Sequence, residues 1–318
     1  MKKAFFALLL LLLLVTGLVF ILIPTKIAVV NACAIQANRN GFNSCLHNLN
    51  KWEQWWPYHE KTIIGNSVKD SLFGYRNIQY KFEKAVNDGA EIQIKLANKS
   101  ISSKILVLPR ASDSLLAQWT VILDAGNNPV SRLKTYLIAK ELKESTRSLL
   151  DSLCLWGSKI ENLYDFPIIR TTFLDTILVT YRLITPGYPN VNQVYNSIKE
   201  IRKYIASQNA GEKDYPMLNT KKLDDGQYET MIAICINKKI SDSKEFEVVR
   251  MVNMKDKFLS TEVIGGPLRI NNAHAAILRY MDDRKLSAPG RPFEIMITDR
   301  SKEPDTSKWK TIVYHPSM

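Results

Sequence analysis

The chain has 318 residues, of which 46% are hydrophobic, so it is long enough to bury the cores of about two domains, and extended disorder is excluded. Its formal net charge is +12, but the longest basic runs are pairs such as Lys221-Lys222, close to acidic residues. Nucleic-acid-binding proteins usually concentrate Lys and Arg on one face, so we expect no nucleic-acid partner.

The first segment is a run of twenty uncharged residues, Ala4 to Ile23. As a helix it would cover the roughly 30 Å hydrocarbon layer of a bilayer, whereas the apolar part of a secretory signal is usually only about 7 to 15 residues long. We therefore predict an uncleaved transmembrane signal anchor in residues 1–25. Lipoprotein-type cleavage before Cys33 is the alternative. Lys2 and Lys3 favour a cytoplasmic N-terminus and extracytoplasmic soluble domains.

The four cysteines form no C-x-x-C pair and have no regular spacing, which excludes a zinc ribbon and a redox motif. Buried free thiols are the expected state. A metal site of Cys45, His47 and His59 lacks an evident fourth ligand. We predict neither a metal nor another cofactor.

After the anchor, an apolar run from Ile27 predicts a strand, and a helix follows. Its apolar residues recur at helical spacing and end at Pro57; they are Phe42, Cys45, Leu46, Leu49, Trp52 and Trp56. This stripe predicts a core position for Trp52 and Trp56 and places Trp55 to the side. A surface platform for sugars, bases or lipid headgroups is the alternative.

Period-two patterns then predict three antiparallel strands, at Glu91–Leu96, Ile101–Leu108 and Leu115–Leu123. A long helix over residues 131–156 follows, and its predicted apolar side consists of Leu133, Leu137, Leu142, Leu149, Leu150 and Leu153. A strand, a helix, several antiparallel strands and a long terminal helix are typical of a helix-grip arrangement.

The segments NLNKWEQWWP and NPVSRLKTYLIAKELKESTRSLLDSLCLW resemble those of the START-like, polyketide-cyclase (SRPBCC) superfamily, particularly its membrane-anchored bacterial members. The resemblance covers about residues 26–165. It implies a long helix across a curved sheet, with an apolar cavity between them that binds lipids or other hydrophobic small molecules. No set of acid, base and nucleophile stands out in this region.

The C-terminal half contains a duplication, because IRKYIASQNAGEKDYP and ILRYMDDRKLSAPGRP have equal length and matching patterns. Each copy is predicted to be a strand, a turn, a helix and two returning strands, with Asn190 and Asn271 as helix N-caps. We expect the two copies to form one sheet by pseudo-twofold symmetry. A groove should lie where the copies meet.

The duplication and the ending RPFEIMITDRSKEPDTSKWKTIVYHP resemble the GyrI-like, AraC-type effector-binding domain over about residues 164–318. Members of this family bind small, often hydrophobic or cationic effectors in the central groove. Members that bind cations or hydrolyse substrates commonly carry a Thr-Glu-x-Tyr pattern in the final strand, where this chain has Thr-Ile-Val-Tyr. The candidate ligand-binding residues are Tyr188, Phe293, Glu294, Trp309 and Tyr314.

The sequence therefore predicts an α+β protein with an anchor (residues 1–25), a START-like helix-grip domain (26–163) and a GyrI-like domain (164–318) with an antiparallel sheet. The favoured function is noncatalytic, membrane-tethered binding of a hydrophobic or amphipathic small molecule. The alternative is a small hydrolase or isomerase that uses Glu294 as a base with Tyr314 assisting. A ligand-sensing DNA-linked regulator is disfavoured by the dispersed charge and the absence of a recognisable recognition helix.

Overall fold

The computed structural model describes residues 2–57, 61–63, 71–96, 99–173, 176–251 and 254–318. The chain divides into two compact units, residues 1–163 and residues 164–318. Each unit combines helices with an antiparallel sheet. The predicted α+β class is confirmed.

The first helix, α1 (Lys2–Leu22), is the predicted apolar N-terminal helix. Its 18-residue stretch Phe5–Leu22 has a mean hydropathy of 3.1, and none of this stretch is buried. Length and composition fit either a membrane span or a signal sequence.

In the part of the first unit that the structure describes, the sheet has seven strands in the order β1-β7-β6-β5-β4-β3-β2. The strands are β1 (Lys26–Ile35), β2 (Lys61–Ile63), β3 (Ser71–Tyr75), β4 (Ile78–Val86), β5 (Gly89–Leu96), β6 (Lys99–Ala111) and β7 (Ser114–Asp124). Every neighbouring pair is antiparallel. The three strands predicted between residues 91 and 123 are present and extend slightly beyond their predicted ends.

The helix predicted between Phe42 and Pro57 is two helices, α2 (Arg39–His47) and α3 (Leu49–Trp55). Asn48 separates them in an extended conformation. Its N–H donates to the carbonyl of Cys45, and its side chain accepts from the N–H of Asn50. Asn48 thus ends one helix and caps the next, as asparagine side chains readily do. The prediction of one continuous helix was wrong.

The long helix α4 (Pro129–Gly157) is capped by Asn128 and packs mainly against β1. Leu142, Leu149, Leu150 and Leu153 are buried as predicted, but Leu133 and Leu137 are exposed. At 100° per residue, Leu133 lies about 180° around the helix from Leu142, so it cannot share the buried side. Their assignment to the apolar side was wrong.

Aromatic side chains fill part of the space between the first sheet and its helices, and a pocket of about 630 Å³ remains beside the first half of α4, next to β6 and β7. Trp52 stacks on Trp56 with ring centroids 5.9 Å apart, and Tyr80 links Trp56 to Trp119 through edge contacts. The predicted core positions of Trp52 and Trp56 are confirmed, since both are fully buried. Trp55 is buried too, so the prediction that it lies to the side of the buried stripe was wrong. Helix α4 covers that side of α3, and Ser152 Oγ donates to the Trp55 carbonyl.

Two of the cysteines, Cys33 on β1 and Cys154 on α4, form a disulfide, with their Cα atoms 6.5 Å apart. Free thiols were the wrong expectation for this pair, because its 121-residue separation gives no signal in the sequence. Cys45 and Cys235 lie outside this disulfide and are buried, as expected. Of the imagined metal ligands, His47 Nε2 lies 2.8 Å from the Gly89 carbonyl, and His59 lies outside the described residues.

The second unit begins at the end of the short helix α5 (Ile160–Tyr164), and its described residues form eight strands and two longer helices. In chain order they are β8 (Ile169–Phe173), β9 (Thr176–Thr185), α6 (Val191–Ser207), β10 (Met217–Lys222), β11 (Tyr228–Ile236), β12 (Glu247–Met251), β13 (Met254–Ile264), α7 (Pro267–Asp283), β14 (Phe293–Met296) and β15 (Lys310–Pro316). The sheet order is β12-β9-β11-β10-β14-β15-β13-β8.

The central six strands read β9-β11-β10 and then β14-β15-β13, which is the same order mirrored about the contact between β10 and β14. The two predicted copies therefore form one antiparallel sheet with pseudo-twofold symmetry. The outer strands β8 and β12 were not predicted from the sequence.

The two helices of the duplication begin differently. Asn190 caps α6 through reciprocal hydrogen bonds with Gln193, as predicted. Asn271 was wrongly predicted as the other cap, because α7 begins earlier, after Gly266 and with Pro267 in its first turn. Proline is favoured in that position because N–H groups in the first turn of a helix have no acceptor within the helix, so its missing N–H costs no hydrogen bond there.

Candidate functional site

Strand alternation divides the second sheet into two faces with different surroundings. The face that carries Leu218 and Met296 packs against α6 in a cluster with Val194, Ile198 and Ile201. The next residues along the strands, including Met217 and Phe293, belong to a second cluster on the opposite face. Candidate residues one position apart on a strand therefore lie on different faces.

A pocket lies on the helix-covered face where the two copies meet. Its volume is about 280 Å³. At its floor, Leu218 of β10 pairs with Glu294 of β14 across the junction. The pocket is lined by Tyr188, Pro189, Asn190, Val191, Val194, Tyr195, Leu218, Pro267, Ile270, Asn271, Glu294, Met296, Arg300 and Trp309. We call this the junction pocket.

Glu294 is the acidic group of the junction pocket, and its carboxylate is held by two partners. One oxygen lies 3.2 Å from Arg300 Nη2, and the other lies 3.6 Å from His274 Nε2. The same Arg300 nitrogen donates to Thr311 Oγ1 at 2.9 Å. Because Glu294 and Arg300 are both nearly buried, separating them would leave an unpaired buried charge, which costs several kcal/mol.

The wall next to this ion pair is built by the segment after β14. The Arg300 guanidinium lies over the Trp309 ring, 4.8 Å from its centroid, and Trp309 Nε1 donates to the Glu303 carbonyl. Tyr195 of α6 fixes the same segment, since its hydroxyl accepts from the Arg300 N–H and donates to the Thr298 carbonyl. Trp309 and Arg300 are thus positioned before any ligand binds.

Tyr188 forms part of the pocket rim, in the connection between β9 and α6. Its residue surface is 57% exposed. Desolvation of the hydroxyl, followed by the nearby Glu294 carboxylate, raises the pKa of Tyr188, so the group is a neutral hydrogen-bonding phenol. The ring is available to cover a ligand from the solvent side.

Two histidines extend the polar network beyond Glu294. His274 Nδ1 lies 2.9 Å from His315 Nε2, and His315 is only 2% exposed. Burial, together with the neighbouring His274, lowers the pKa of His315 to about 4. His315 is therefore neutral near pH 7, and Glu294, His274 and His315 form one connected chain of side chains.

Phe293 and Tyr314 lie on the opposite face, away from the junction pocket. They are cross-strand partners with stacked rings 5.1 Å apart, and they pack with Phe173 and Phe258. Burial raises the pKa of Tyr314. A second depression of about 300 Å³ on this face includes Phe293, Met217, Met231, Met251 and Arg291.

The structure therefore brings together three of the five candidate residues, Tyr188, Glu294 and Trp309. Glu294 pairs with Val313, so its side chain and that of Tyr314 point to opposite faces of the sheet. The two groups cannot contact the same substrate, and the proposed pairing of a Glu294 base with Tyr314 has no geometric basis.

Arg300, His274 and His315 are parts of the site that were not predicted from the sequence. Arg300 follows β14 in a segment without periodicity, and nothing in the sequence indicates that it folds back six residues to Glu294. His315 lies two residues after Val313 on β15, so both side chains point to the same face of the sheet. Val313 pairs with Glu294, so a known register for β15 would have placed His315 on the pocket face. His274 lies one turn beyond Ile270, but His274 and His315 have no diagnostic spacing.

No family model matches the chain, and no curated protein matches it. Several solved structures are similar to about half of it. The EcmrR C-terminal domain is 12% identical and matches 48% of this chain and 98% of its own, with a TM-score of 0.42. A hydrolase encoded by lin2189 from Listeria innocua is 12% identical, covering 48% and 91%, with a TM-score of 0.35. SAV2435 bound to tetraphenylphosphonium is 14% identical, covering 48% and 93%, with a TM-score of 0.31.

Proposed function

We propose that this protein is a membrane-tethered, noncatalytic binding protein that takes up a hydrophobic or amphipathic small molecule in the junction pocket. The observation that carries the proposal is the pocket itself: a preformed space of about 280 Å³ at the symmetry junction, with apolar and aromatic walls and few polar groups. Small-molecule sites usually have this composition and often form where structural halves meet.

The contacts of the Glu294 carboxylate indicate which ligand charge the junction pocket favours. An unpaired Glu294 would favour a cation, but here Arg300 and His274 already surround it. A cationic ligand would have to compete with the buried Arg300 for the same oxygens. The pocket is therefore better suited to a neutral amphipathic molecule, with Tyr188, Trp309 and Ile270 against its apolar body.

The tether and its orientation belong to the same proposal. Helix α1 is long and apolar enough to span a bilayer, and the Cys33–Cys154 disulfide suits an oxidising compartment. Lys2 and Lys3 before α1 favour a cytoplasmic N-terminus. We infer a single-pass protein with residues 26–318 outside the cytoplasm.

We further propose that residues 26–163 form a START-like domain and residues 164–318 a GyrI-like domain. The long helix α4 against an antiparallel sheet supports the first assignment, and the mirrored strand order supports the second. The first unit has a pocket of about 630 Å³, but eight of its thirteen lining residues are Ser, Thr, Lys or Asp, so we place the site for a hydrophobic or amphipathic molecule in the second unit.

The test uses the full-length protein in lipid nanodiscs and the neutral fluorescent amphiphile N-phenyl-1-naphthylamine, with tetraphenylphosphonium as the cationic competitor. Tyr188→Ala removes a rim aromatic and should weaken binding by roughly tenfold, because an aromatic contact contributes on the order of 1 kcal/mol beyond its buried area. Tyr215→Ala is the matched control, since Tyr215 is similarly exposed in the same unit and does not line the pocket.

Equal affinities for the two variants would contradict binding in the junction pocket. Loss of binding in Met231→Lys without loss in Tyr188→Ala would move the ligand to the depression on the opposite face. Displacement by tetraphenylphosphonium at concentrations comparable to those of the neutral probe would contradict the preference for neutral ligands.

A further inference from the structure

The first turns of α4 expose large apolar side chains to solvent. Val130, Leu133, Tyr136 and Leu137 are each roughly half exposed, at 48% to 59%. The buried side of the same turns is formed by Arg132, Thr135 and Ala139. This part of α4 is therefore apolar toward solvent, the reverse of an ordinary surface helix.

The remainder of α4 does not share this property. All residues of α4 are described, and beyond Leu137 the one large hydrophobic residue that is exposed is Leu155. The outer surface of the later turns carries charges of both signs, with exposed Glu141, Lys143 and Glu144. The exposed apolar patch is thus confined to one end of the helix.

That end lies beside the end of α1. The Arg132 guanidinium donates to the carbonyls of Phe20 and Ile23, at 3.1 and 2.8 Å, and lies over the Phe20 ring, 4.6 Å from its centroid. Arg132 also donates to the Gly126 carbonyl just before α4. These contacts fix the start of α4 to the last turn of the apolar helix.

The chain between the two elements is too short to hold the first unit away from α1. Helix α1 ends at Leu22 and β1 begins at Lys26, so three residues connect them. Three extended residues span only about 10 Å. If α1 crosses a bilayer, the start of α4 lies within about that distance of the headgroup layer, whose apolar boundary accepts interfacial helices to a depth of about 5 to 10 Å.

The charges around the patch complement a membrane surface. Residues 129–140 contain Arg132, Lys134 and Lys140 and no acidic residue. Lys134 and Lys140 are exposed, and their long side chains can reach phosphate oxygens while the neighbouring apolar groups contact acyl chains. An apolar strip bordered by lysines is typical of a helix that lies in the interfacial plane.

We infer that residues 129–140 of α4 form a second membrane contact, with Val130, Leu133, Tyr136 and Leu137 in the interfacial layer and Lys134 and Lys140 at the phosphates. The occupant of the patch is the lipid bilayer. This inference rests on the proposed tether through α1. It goes beyond tethering, because the first unit then lies against the membrane in one orientation instead of moving freely on its connection.

The experiment places a single fluorescent bimane label on the full-length protein, reconstituted into vesicles with phosphatidylcholine and phosphatidylglycerol. Leu133→Cys and Leu137→Cys report the patch. Leu155→Cys is the control, because it is exposed on the same helix about 33 Å from Leu133. Unsubstituted protein measures background labelling, since Cys45 and Cys235 are buried and the other two cysteines form a disulfide.

Lipids with a doxyl group near the top of the acyl chain should quench the labels at positions 133 and 137 at least about three times as strongly as the label at position 155. Weak, equal quenching at all three positions in protein that floats with the vesicles would overturn the inference and leave the tether intact. Protein that does not float would overturn both. Label self-quenching at 133 without lipid quenching would show that a second copy covers the patch, and would equally overturn the inference.

Discussion

Both units place helices over an antiparallel sheet, but the space between the layers is used differently. In the first unit, Trp52, Trp56, Tyr80 and Trp119 occupy it, and all four are fully buried. In the second unit, the space at the junction of the repeats is a pocket of about 280 Å³ with Trp309 in its wall. Large aromatic rings fill much of the first space, and the pocket of about 630 Å³ that remains beside α4 is lined mostly by Ser, Thr, Lys and Asp, whereas at the junction the strands contribute Leu218 and Met296.

This difference shows that the side chains between a helix and a sheet decide whether the space there is filled, polar or apolar. The outcome depends on the summed volume of the side chains between the layers, because protein interiors are packed to nearly crystalline density. It also assigns different roles to neighbouring features: the aromatic cluster of the first unit stabilises the fold, and the junction pocket of the second unit is available to a ligand.

The largest effect is expected from opening the filled space. Trp56→Ala should destabilise the first unit by roughly 3 to 5 kcal/mol, because it creates a large cavity in a packed core. Trp55→Ala should have a comparable effect, since Trp55 is also buried. Denaturant unfolding of the full-length protein, monitored by hydrogen exchange in peptides from residues 26–163, would measure both losses.

The phenylalanine variants provide the control within this cluster. Trp56→Phe removes a 2.8 Å hydrogen bond to the Gly74 carbonyl, whereas Trp55 Nε1 has no partner among the described residues. Trp56→Phe should therefore destabilise the unit by about 1 kcal/mol more than Trp55→Phe. Small, equal losses for the two alanine variants would contradict the filled core.

Reduction of the Cys33–Cys154 disulfide should destabilise the first unit by roughly 2 to 5 kcal/mol, because the bond closes a long loop in the unfolded chain. The second unit contains only the free Cys235 and should not respond. Thermal unfolding with and without dithiothreitol, with exchange measured separately for peptides of each unit, tests this. Destabilisation of both units to the same extent would contradict the assignment of the bond to the first.

Acidification should act on the second unit. The pKa of His315 falls from 6.5 in the unfolded chain to about 4 in the folded one, so the unfolded state binds the proton more tightly. Stability should therefore decrease as the pH falls from about 6.5 to 4, by about 3 kcal/mol in total, and the contribution should level off below pH 4.

The variant His315→Gln isolates this contribution from the other acidic titrations. The unfolding free energy should depend less steeply on pH between pH 7 and 4 in the variant, because unfolding of the variant takes up about one proton fewer. His274, Glu294 and Arg300 remain in both proteins, so they provide the common background. Identical slopes would show that His315 does not control the acid sensitivity of the unit.

The sequence alone determined those features that depend on local periodicity and internal similarity. The apolar run predicted α1, the alternation near residues 91–123 predicted β5 to β7, and the duplication predicted a single pseudo-twofold sheet. Each of these follows from contacts between residues close in the chain or from repetition of one pattern. The capping role of Asn190 follows for the same reason, because the cap bonds to Gln193 only three residues away.

The tertiary structure decided the features that depend on which segments meet. The burial of Trp55 requires the later helix α4, and the Cys33–Cys154 bond joins residues 121 positions apart. The pairing of Glu294 with Arg300 and His274 needs both the register of β14 and the path of the chain after it. That register also separates Glu294 from Tyr314, because a strand directs successive side chains to opposite faces and only the assembled sheet shows which face the helices cover.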